Sequence, residues 1–435
     1  MHSNPQDGRY TYHELAKELF SRHLYQRSKK EYYSTRRALV DHYQCLLEVI
    51  QMERDIETYN SAQWVELALA LVNQLFLLPD EDSHTQAIKQ ILYAYEPTNI
   101  ERTGEIARVL RELSQEHFKN QVNSSARQIA KQLLQLIEAG PRNKERLTAV
   151  SYLLEKVSHT PEFPPELLTR LYHIRRRSYS HFNEYQQAIE DCNRILELDS
   201  KDAKAYRDRG FMYMKLQDYQ QALVNLDRAL ELDTQDALSY NWRGVCYRDL
   251  QIYQQAITDL NHALELDPKL AQAYFQRGSI YLWLKDIEQA IDDFDCSWKL
   301  DPKDVNNGWM TEWTKMCVKR PDPGLVERLE AIAAVNPQCY EAYVCRGVVL
   351  LLRQRFEEAL AELEMAIPLK PQVPDAYFWK GIVYASLGQD EEAMSMLKKA
   401  LKGNLLPVLV APFHQLKQVR SDFYEKYVIS LLADY

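Results

Sequence analysis

Two neighbouring stretches of the chain repeat each other with a period of 34 residues. Residues 203–236 read AKAYRDRGFMYMKLQDYQQALVNLDRALELDTQD, and residues 237–270 read ALSYNWRGVCYRDLQIYQQAITDLNHALELDPKL. Both carry Tyr, Gly, Tyr and Ala at positions four, eight, eleven and twenty. Positions four, eight and eleven share one face of an α-helix, so each repeat predicts a pair of helices with that face buried between them.

The same period runs from Thr169 to Pro407 and gives seven repeats, numbered 1 to 7 here. They begin at Thr169, Ala203, Ala237, Ala271, residue 305, Tyr340 and Pro374. Repeat 5 (305–339) is degenerate, because it has 35 residues and no Gly–Ala pair in register. Repeat 1 departs at one position, with Arg176 where Gly is expected. Pro at position 32 of three repeats, and at position 33 of repeat 5, predicts the end of the second helix.

This pattern resembles the tetratricopeptide repeat family over about half of the chain. The resemblance implies an all-α fold, a right-handed α-solenoid of helical hairpins whose first helices line a concave groove. It also implies that the protein binds another protein or peptide in that groove. The Lys and Asn positions with which some family members clamp a terminal carboxylate are not matched, so a chaperone-tail clamp is disfavoured.

The segments outside the repeats also show helical periodicity. Residues 1–168 are punctuated by prolines and lack the repeat signature, which predicts irregular helical hairpins rather than a separate enzyme domain. Residues 408–435 carry apolar side chains at helical spacing and are predicted to form a helix that caps the last hairpin. Its apolar face would consist of Phe413, Leu416, Val419, Phe423, Tyr427 and Leu431.

Composition excludes several classes of protein. The formal net charge is -9, which argues against general nucleic-acid binding because that needs a basic face. The seven cysteines form no Cys-x-x-Cys pair, and this favours a reducing compartment. We find neither a signal peptide nor an uninterrupted apolar span, so the prediction is a cytoplasmic protein without a membrane segment.

The sequence contains no motif for catalysis or for a cofactor. A glycine-rich phosphate loop, a His-Glu-x-x-His helix and a Gly-x-Ser-x-Gly elbow are all absent, which predicts a non-enzymatic protein without cofactor. His173 and His181 lie eight residues apart, too far to chelate a metal without a third ligand between them.

One short stretch suggests a second function. Residues 9–15, RYTYHEL, resemble the end of the winged-helix segment in signal-transduction ATPases with numerous domains, with Glu14 in place of Asp. Those proteins often carry tetratricopeptide arrays as sensors. The alternative function is therefore the sensor arm of such a signalling system, lacking an ATPase domain of its own.

The first helix of each repeat carries a second stripe at positions two, five, six, nine, twelve and thirteen, called the first-helix stripe below. It is basic in repeats 1 and 2 and apolar or aromatic in repeats 3, 4, 6 and 7, which predicts a partner with acidic and bulky apolar residues. For Trp242 and Trp379 the alternative is a spacer packed between adjacent first helices. The candidate partner-binding residues are Arg170, His173, Arg177, Lys204, Arg207, Phe211, Trp242, Phe275, Trp283, Phe378 and Trp379.

Position seven is basic in six repeats: Arg175, Arg209, Arg243, Arg277, Arg346 and Lys380. This side chain neighbours the glycine on the packing face. We therefore predict a structural role, in which the aliphatic stem packs and the charged head reaches a carboxylate.

Overall fold

A computed structural model of the chain describes residues 29–52, 62–78, 80–94, 106–111, 124–139, 142–158, 163–318, 324–402 and 420–429. The regular elements within these ranges are helices. The 9–15 stretch and four of the predicted cap residues, Phe413, Leu416, Val419 and Leu431, lie outside the described residues. Two compact units are distinguished, Met1–Gln221 and Ala222–Tyr435.

The first compact unit begins with irregular hairpins and continues into repeats 1 and 2. Its helices are α1 (Lys29–Met52), α2 (Ala62–Phe76), α3 (Glu81–Ala94), α4 (Ser124–Glu138), α5 (Lys144–Val157), α6 (Pro165–His181), α7 (Tyr185–Leu198) and α8 (Ala203–Lys215), with a short helix at 106–111. Helix α2 packs on α1 and α3, α4 packs on α5, and α5 packs on α6. One apolar cluster extends from α1 to α6 and includes the fully buried Leu71, Leu133 and Leu171.

Helix α9 (Tyr219–Leu232) begins in the first compact unit and ends in the second. The second unit continues with α10 (Ala237–Asp249), α11 (Tyr253–Leu266), α12 (Ala271–Trp283), α13 (Ile287–Leu300), α14 (Val305–Val318), α15 (Leu325–Val335), α16 (Tyr340–Leu352), α17 (Phe356–Ala366), α18 (Asp375–Ser386) and α19 (Asp390–Lys402). Consecutive helices from α10 onward pair as hairpins, each formed by one repeat. Residues 421–429 follow as a short helical segment whose Phe423 and Val428 are buried against the last hairpins.

The glycine at position eight lets the two helices of a repeat approach closely. A Cβ on Gly244 would lie 2.9 Å from Leu260 Cγ and 3.2 Å from the carbonyl oxygen of Ala256. A Cβ on Gly381 would lie 2.8 Å from Leu397 Cγ. Real Cβ atoms do not approach other atoms to within 3.0 Å, so glycine is required there. The sequence-based pairing of positions eight and twenty is confirmed for Gly244 and Ala256.

Repeat 5 makes its close approach at another position. A Cβ on Gly308 would lie 2.9 Å from atoms of both Trp298 and Ile332, which belong to the neighbouring helices α13 and α15. Gly308 stands at position four, where other repeats carry an aromatic residue. Helix α14 therefore packs closely against both neighbouring helices, and its own Trp309 and Trp313 are buried.

The turn between the two helices of a repeat uses one left-handed residue. Position fifteen has a φ between 60° and 76° in Asn183, Gln217, Gln251, Lys285, Gln354 and Gly388. In repeat 3 the N–H of Gln251 donates to Arg248 and the N–H of Ile252 donates to Tyr247, as in a Schellman cap. Five of the six residues are not glycine, so the periodicity gave no sign of this conformation.

Candidate partner-binding surfaces

The basic residue at position seven links neighbouring helices through ion pairs. Both Nε and Nη2 of Arg243 donate to the Asp259 carboxylate over 2.7 Å, and Nη1 donates to Asp227 over 2.7 Å. These partners lie sixteen residues after and sixteen before the arginine. The pKa of Arg243 is raised, chiefly by the hydrogen bond to Asp259. The predicted structural role of this position is confirmed.

Arg277 repeats this geometry one repeat later. Its Nε and Nη2 donate to Asp293, over 2.8 and 2.7 Å, and its Nη1 donates to Asn261 over 2.6 Å. In repeat 1, Arg175 binds the buried Asp191 in the same way. These guanidinium groups already bind acidic side chains of the protein itself, so we do not assign them to partner binding.

Three of the basic candidate residues in the first compact unit also bind within the protein. Nη1 of Arg170 donates to the carbonyl oxygen of Leu92 over 2.6 Å. His173 lies 3.1 Å from the carboxylate of Asp202. Arg207 lies 3.2 Å from the buried Asp208. All three side chains are half-buried and bonded within the protein, and their contact with a partner stays a prediction.

Asp208 also explains the departure of repeat 1 from the glycine pattern. Its carboxylate lies 2.7 Å from Nη2 of Arg176, the residue at position eight of repeat 1. Both side chains are almost fully buried. Asp208 accepts a hydrogen bond from Arg207 and forms an ion pair with Arg176. Arg176 therefore joins α6 to α8 where other repeats use a glycine contact.

A group of exposed cations remains on the first compact unit and is called the basic surface below. Arg177 and His181 stand four residues apart on α6, and the pKa of His181 is lowered by burial and by the nearby Arg142 and Arg177. Lys204, on α8, is exposed. Within the described part of the chain, neither Arg142 nor Arg177 forms an ion pair. These charges are therefore available to an anionic partner.

Aromatic side chains on α10 and α12 form a second exposed area, called the aromatic surface below. Trp283 is 50% exposed, although it is one of the largest apolar side chains. Phe275 is half-buried, with its ring centroid 5.5 Å from that of Phe294, and Trp242 is also half-buried. In the first compact unit, Phe211 is half-buried beneath Nζ of Lys215, which lies 5.2 Å from its ring centroid.

In repeats 5 to 7 most residues of the first-helix stripe are buried. Phe378 and Trp379 are 0% and 2% exposed, and each ring centroid lies 5.5 Å from that of Trp313. Helix α16, which packs on both α14 and α18, has Val344 and Val348 of the same stripe fully buried. The prediction that Phe378 and Trp379 face a ligand is wrong for this structure, because both side chains are buried and pack on Trp313 of α14.

The aromatic cluster of repeats 5 to 7 ends at a buried acid. Nε1 of Trp309 donates to Oδ2 of Asp375 over 2.9 Å. Burial raises the pKa of Asp375 to about 6, with a further increase from Glu341, whereas Trp309 and Lys370 favour the ionised form. The hydrogen bond connects the first helix of repeat 5 to that of repeat 7, so it fixes the closed arrangement of this part of the stripe.

The described residues show no arrangement for metal binding or nucleophilic chemistry. No three His, Cys, Asp or Glu side chains among them could hold a metal ion. Burial raises the pKa of the Cys192 and Cys246 thiols to about 12, and a protonated thiol is a weak nucleophile. None of the described helices is long and apolar enough to cross a bilayer.

Comparison with protein families identifies the repeats. Models described as tetratricopeptide repeat match residues 176–241, 237–270, 271–304, 326–374 and 374–402. These repeats are tetratricopeptide repeats. Proteins built from tetratricopeptide repeats generally act as protein-interaction modules. No curated protein matches the chain.

Solved structures of tetratricopeptide proteins are similar over part of the chain. YrrB, described as a TPR protein with an unusual peptide-binding site, is 19% identical, with 53% of this chain and 99% of that chain covered and a TM-score of 0.30. PilF of Pseudomonas aeruginosa is 14% identical, with coverage of 61% and 99% and a TM-score of 0.36. A tetratricopeptide repeat protein of Parabacteroides merdae is 16% identical, with coverage of 56% and 97% and a TM-score of 0.39.

Two features of the tetratricopeptide array were missed by the sequence analysis. Arg142 lies before α5, outside the repeats, so the repeat period could not associate it with Arg177. The bond between Trp309 and Asp375 joins residues 66 positions apart in repeats that are not adjacent. Repeat 5, which contains Trp309, did stand out as degenerate, and this was the available signal.

Proposed function

We propose that this tetratricopeptide protein is a non-catalytic scaffold or adaptor that binds a partner protein or peptide through exposed residues of the first-helix stripe. Basic residues of repeats 1 and 2 serve in the first compact unit, and aromatic residues of repeats 3 and 4 serve in the second. In the family this stripe lines the concave groove. The observation that carries the proposal is the contrast in exposure along the stripe. Arg177, Lys204 and Trp283 are exposed in repeats 1, 2 and 4, whereas most stripe residues of repeats 5 to 7 are buried and Leu352 is exposed.

The basic surface selects acidic residues of the partner. A carboxylate beside Arg177 and His181 would make charge-assisted hydrogen bonds that neither side chain makes with the described residues. Such a carboxylate also favours the protonated imidazole and thus opposes the neighbouring arginines, which lower the pKa of His181. Because exposed charges act at a distance, this surface mainly accelerates association and is sensitive to salt.

The aromatic surface supplies the larger part of the affinity. Trp and Phe anchors dominate the binding energy of most protein interfaces, because they remove much apolar area from water. Trp283 has half of its surface available for this purpose, and Phe275 has a smaller part. The proposed partner therefore carries bulky apolar residues in addition to acidic ones.

The buried free thiols support a reducing, cytoplasmic location. Cys192, Cys246 and Cys345 are free and buried in the hydrophobic core. Free cysteines of this kind are typical of proteins that fold where thiols stay reduced. Expression of a fluorescent fusion in the source cells, followed by fractionation, tests this location, and recovery from an oxidising compartment would contradict it.

The test requires a captured partner and two double variants. Affinity purification with chemical crosslinking identifies the partner, and surface plasmon resonance then measures the variants. Arg177→Glu with Lys204→Glu should slow association, with a larger effect at low salt than at high salt. Phe275→Ala with Trp283→Ala should speed dissociation with little dependence on salt.

Matched controls separate these effects from general changes of charge or hydrophobicity. Arg194→Glu changes an exposed arginine on the second helix α7, and Val224→Ala removes an exposed apolar side chain on the second helix α9. Both controls should bind as the wild type does. Wild-type binding by both double variants, with helical content intact by circular dichroism, would refute the assignment to the first-helix stripe.

A further inference from the structure

A cavity of about 440 Å³ lies between repeats 5 and 6. Its apolar floor includes Ala333 of α15 with Val349 and Leu350 of α16, and charged side chains of both repeats form its walls. None of the candidate partner-binding residues lines it. Its size falls within the range of about 300 to 1,000 Å³ that is usual for small-ligand sites.

Tyr247 stands at position eleven of repeat 3, beside the residues that correspond to the charged lining of this cavity. Burial raises the pKa of Tyr247, and the charged groups acting on it include Arg243, Asp227 and Asp259. Arg243 is the position-seven residue, and the two aspartates lie sixteen residues before and after it. The tyrosine ring therefore packs beside the arginine that bridges both acids.

The same three positions of repeat 6 line the cavity. They are Arg346, Glu330 sixteen residues before it, and Glu362 sixteen residues after it. Position eleven, however, is Leu350, whereas repeats 1, 2, 3, 4 and 7 carry tyrosine there. Tyr179 and Tyr384 again lie beside a position-seven cation, at 5.8 Å and 5.6 Å from their ring centroids. Repeat 6 thus has the charged residues that lie beside a tyrosine ring in other repeats, but it has leucine in place of the tyrosine.

The ion pairs around the cavity differ from those of repeat 3. Glu330 pairs with Arg353 over 2.8 Å instead of with Arg346. Nη1 of Arg346 donates to the carbonyl oxygen of Pro337, at the end of repeat 5, over 2.8 Å, while its Nε still binds Glu362. In repeat 3 the corresponding Nη1 binds a carboxylate of the preceding repeat instead. The Glu330 carboxylate is therefore not paired with the position-seven arginine in repeat 6.

We propose that this cavity binds a tyrosine side chain of a partner protein, which takes the place that the protein's own tyrosine holds in five other repeats. The ring would pack on Ala333, Val349 and Leu350 beside the guanidinium of Arg346, an arrangement that favours aromatic rings through cation–π attraction. The hydroxyl would donate to the carboxylate of Glu330 or Glu362. Three glutamates around the cavity, Glu330, Glu358 and Glu362, exclude a phosphorylated tyrosine by charge repulsion.

The first test uses N-acetyl-tyrosinamide as the probe and the full chain as the receptor. Saturation-transfer difference NMR should show transfer to its ring protons, less transfer to N-acetyl-phenylalaninamide, and least to N-acetyl-leucinamide and to the phosphorylated tyrosine amide. In Leu350→Tyr the protein's own tyrosine ring should occupy the cavity, so the variant should show no transfer and should have a higher melting temperature. Ala333→Leu, which fills the floor from α15, should also abolish the transfer.

A matched variant creates the same cavity elsewhere. Tyr281→Leu in repeat 4 removes the ring beside Arg277 and should increase the transfer to N-acetyl-tyrosinamide while lowering the melting temperature. Unchanged transfer in folded Leu350→Tyr, or no gain in Tyr281→Leu, overturns the proposal. Absence of transfer to any probe in the wild type overturns it as well. The measurements on the wild type, Leu350→Tyr and Ala333→Leu do not involve the basic or aromatic surface, so their outcome is independent of the proposed function.

Discussion

Replacing Asp375 by asparagine should stabilise repeat 7 near neutral pH and change its stability little near pH 4. Asp375 is buried, and its pKa is raised from an ordinary value of 3.8 to about 6. Between these two values the unfolded carboxyl loses its proton first, so the folded state binds more protons than the unfolded state. Stability of the wild type therefore falls as pH rises through this window, and the loss is complete above the folded pKa.

The size of the effect follows from the shift. A difference of roughly two pKa units corresponds to about 3 kcal/mol at neutral pH, since each unit is about 1.4 kcal/mol. Asp375 stands in the first turn of α18, where the helix N-terminus favours an anion by up to about 1 kcal/mol. The expected gain for Asp375→Asn is therefore about 2 kcal/mol, provided that the amide oxygen still accepts the hydrogen bond from Trp309.

Hydrogen exchange of residues 376–386, followed by mass spectrometry, measures this effect locally, and a repeat array is best studied locally because its parts unfold separately. Wild type and variant are compared at the same pH, from about pH 4 to 8. Asp422→Asn serves as the control, because Arg420 lowers the pKa of this exposed carboxyl to about 2, so the carboxyl stays ionised over the compared pH range and the effect of the substitution should not change with pH. Equal protection of wild type and Asp375→Asn at every pH would refute the reasoning.

Three further substitutions test the packing and the basic surface. Gly244→Leu should lower the melting temperature, at a cost of at least about 1 to 3 kcal/mol, because its Cβ would overlap Leu260; an unchanged melting temperature would contradict the close helix contact. Phe378→Ala should lower the free energy of unfolding by about 3 to 5 kcal/mol, since it leaves a cavity beside Trp313. Urea titration monitored by tryptophan fluorescence measures this loss, and a loss below about 1 kcal/mol would place Phe378 at the surface. Affinity for the acidic partner should rise as pH falls through the lowered pKa of His181, because the imidazole becomes charged. Surface plasmon resonance should show no such rise for His181→Gln. An identical pH profile of wild type and variant would exclude His181 from the binding site.

The sequence was sufficient for the repeats and for the function of their recurring residues. The 34-residue spacing gave the helix pairs, and the small residues at positions eight and twenty identified their contact. The recurring basic residue at position seven predicted a carboxylate partner within the protein. In the structure, Arg175, Arg243 and Arg277 each bind an aspartate. These features could be predicted because each depends on residues within one repeat or the next, where helix geometry fixes the distances.

Only the tertiary structure decided which stripe residues stay exposed. Periodicity placed Phe378 and Trp379 on the same face as Phe275 and Trp283, and it could not distinguish the two pairs. The distinction comes from Trp313, two repeats away from Phe378, whose ring fills the space in front of both residues. Likewise, Leu350 is an ordinary apolar residue in the sequence, and it becomes the floor of a cavity only because α15 and α16 leave a ring-sized space. A repeat pattern determines which face of its helix a side chain occupies. The burial of that side chain depends on which side chains of non-neighbouring helices pack against that face.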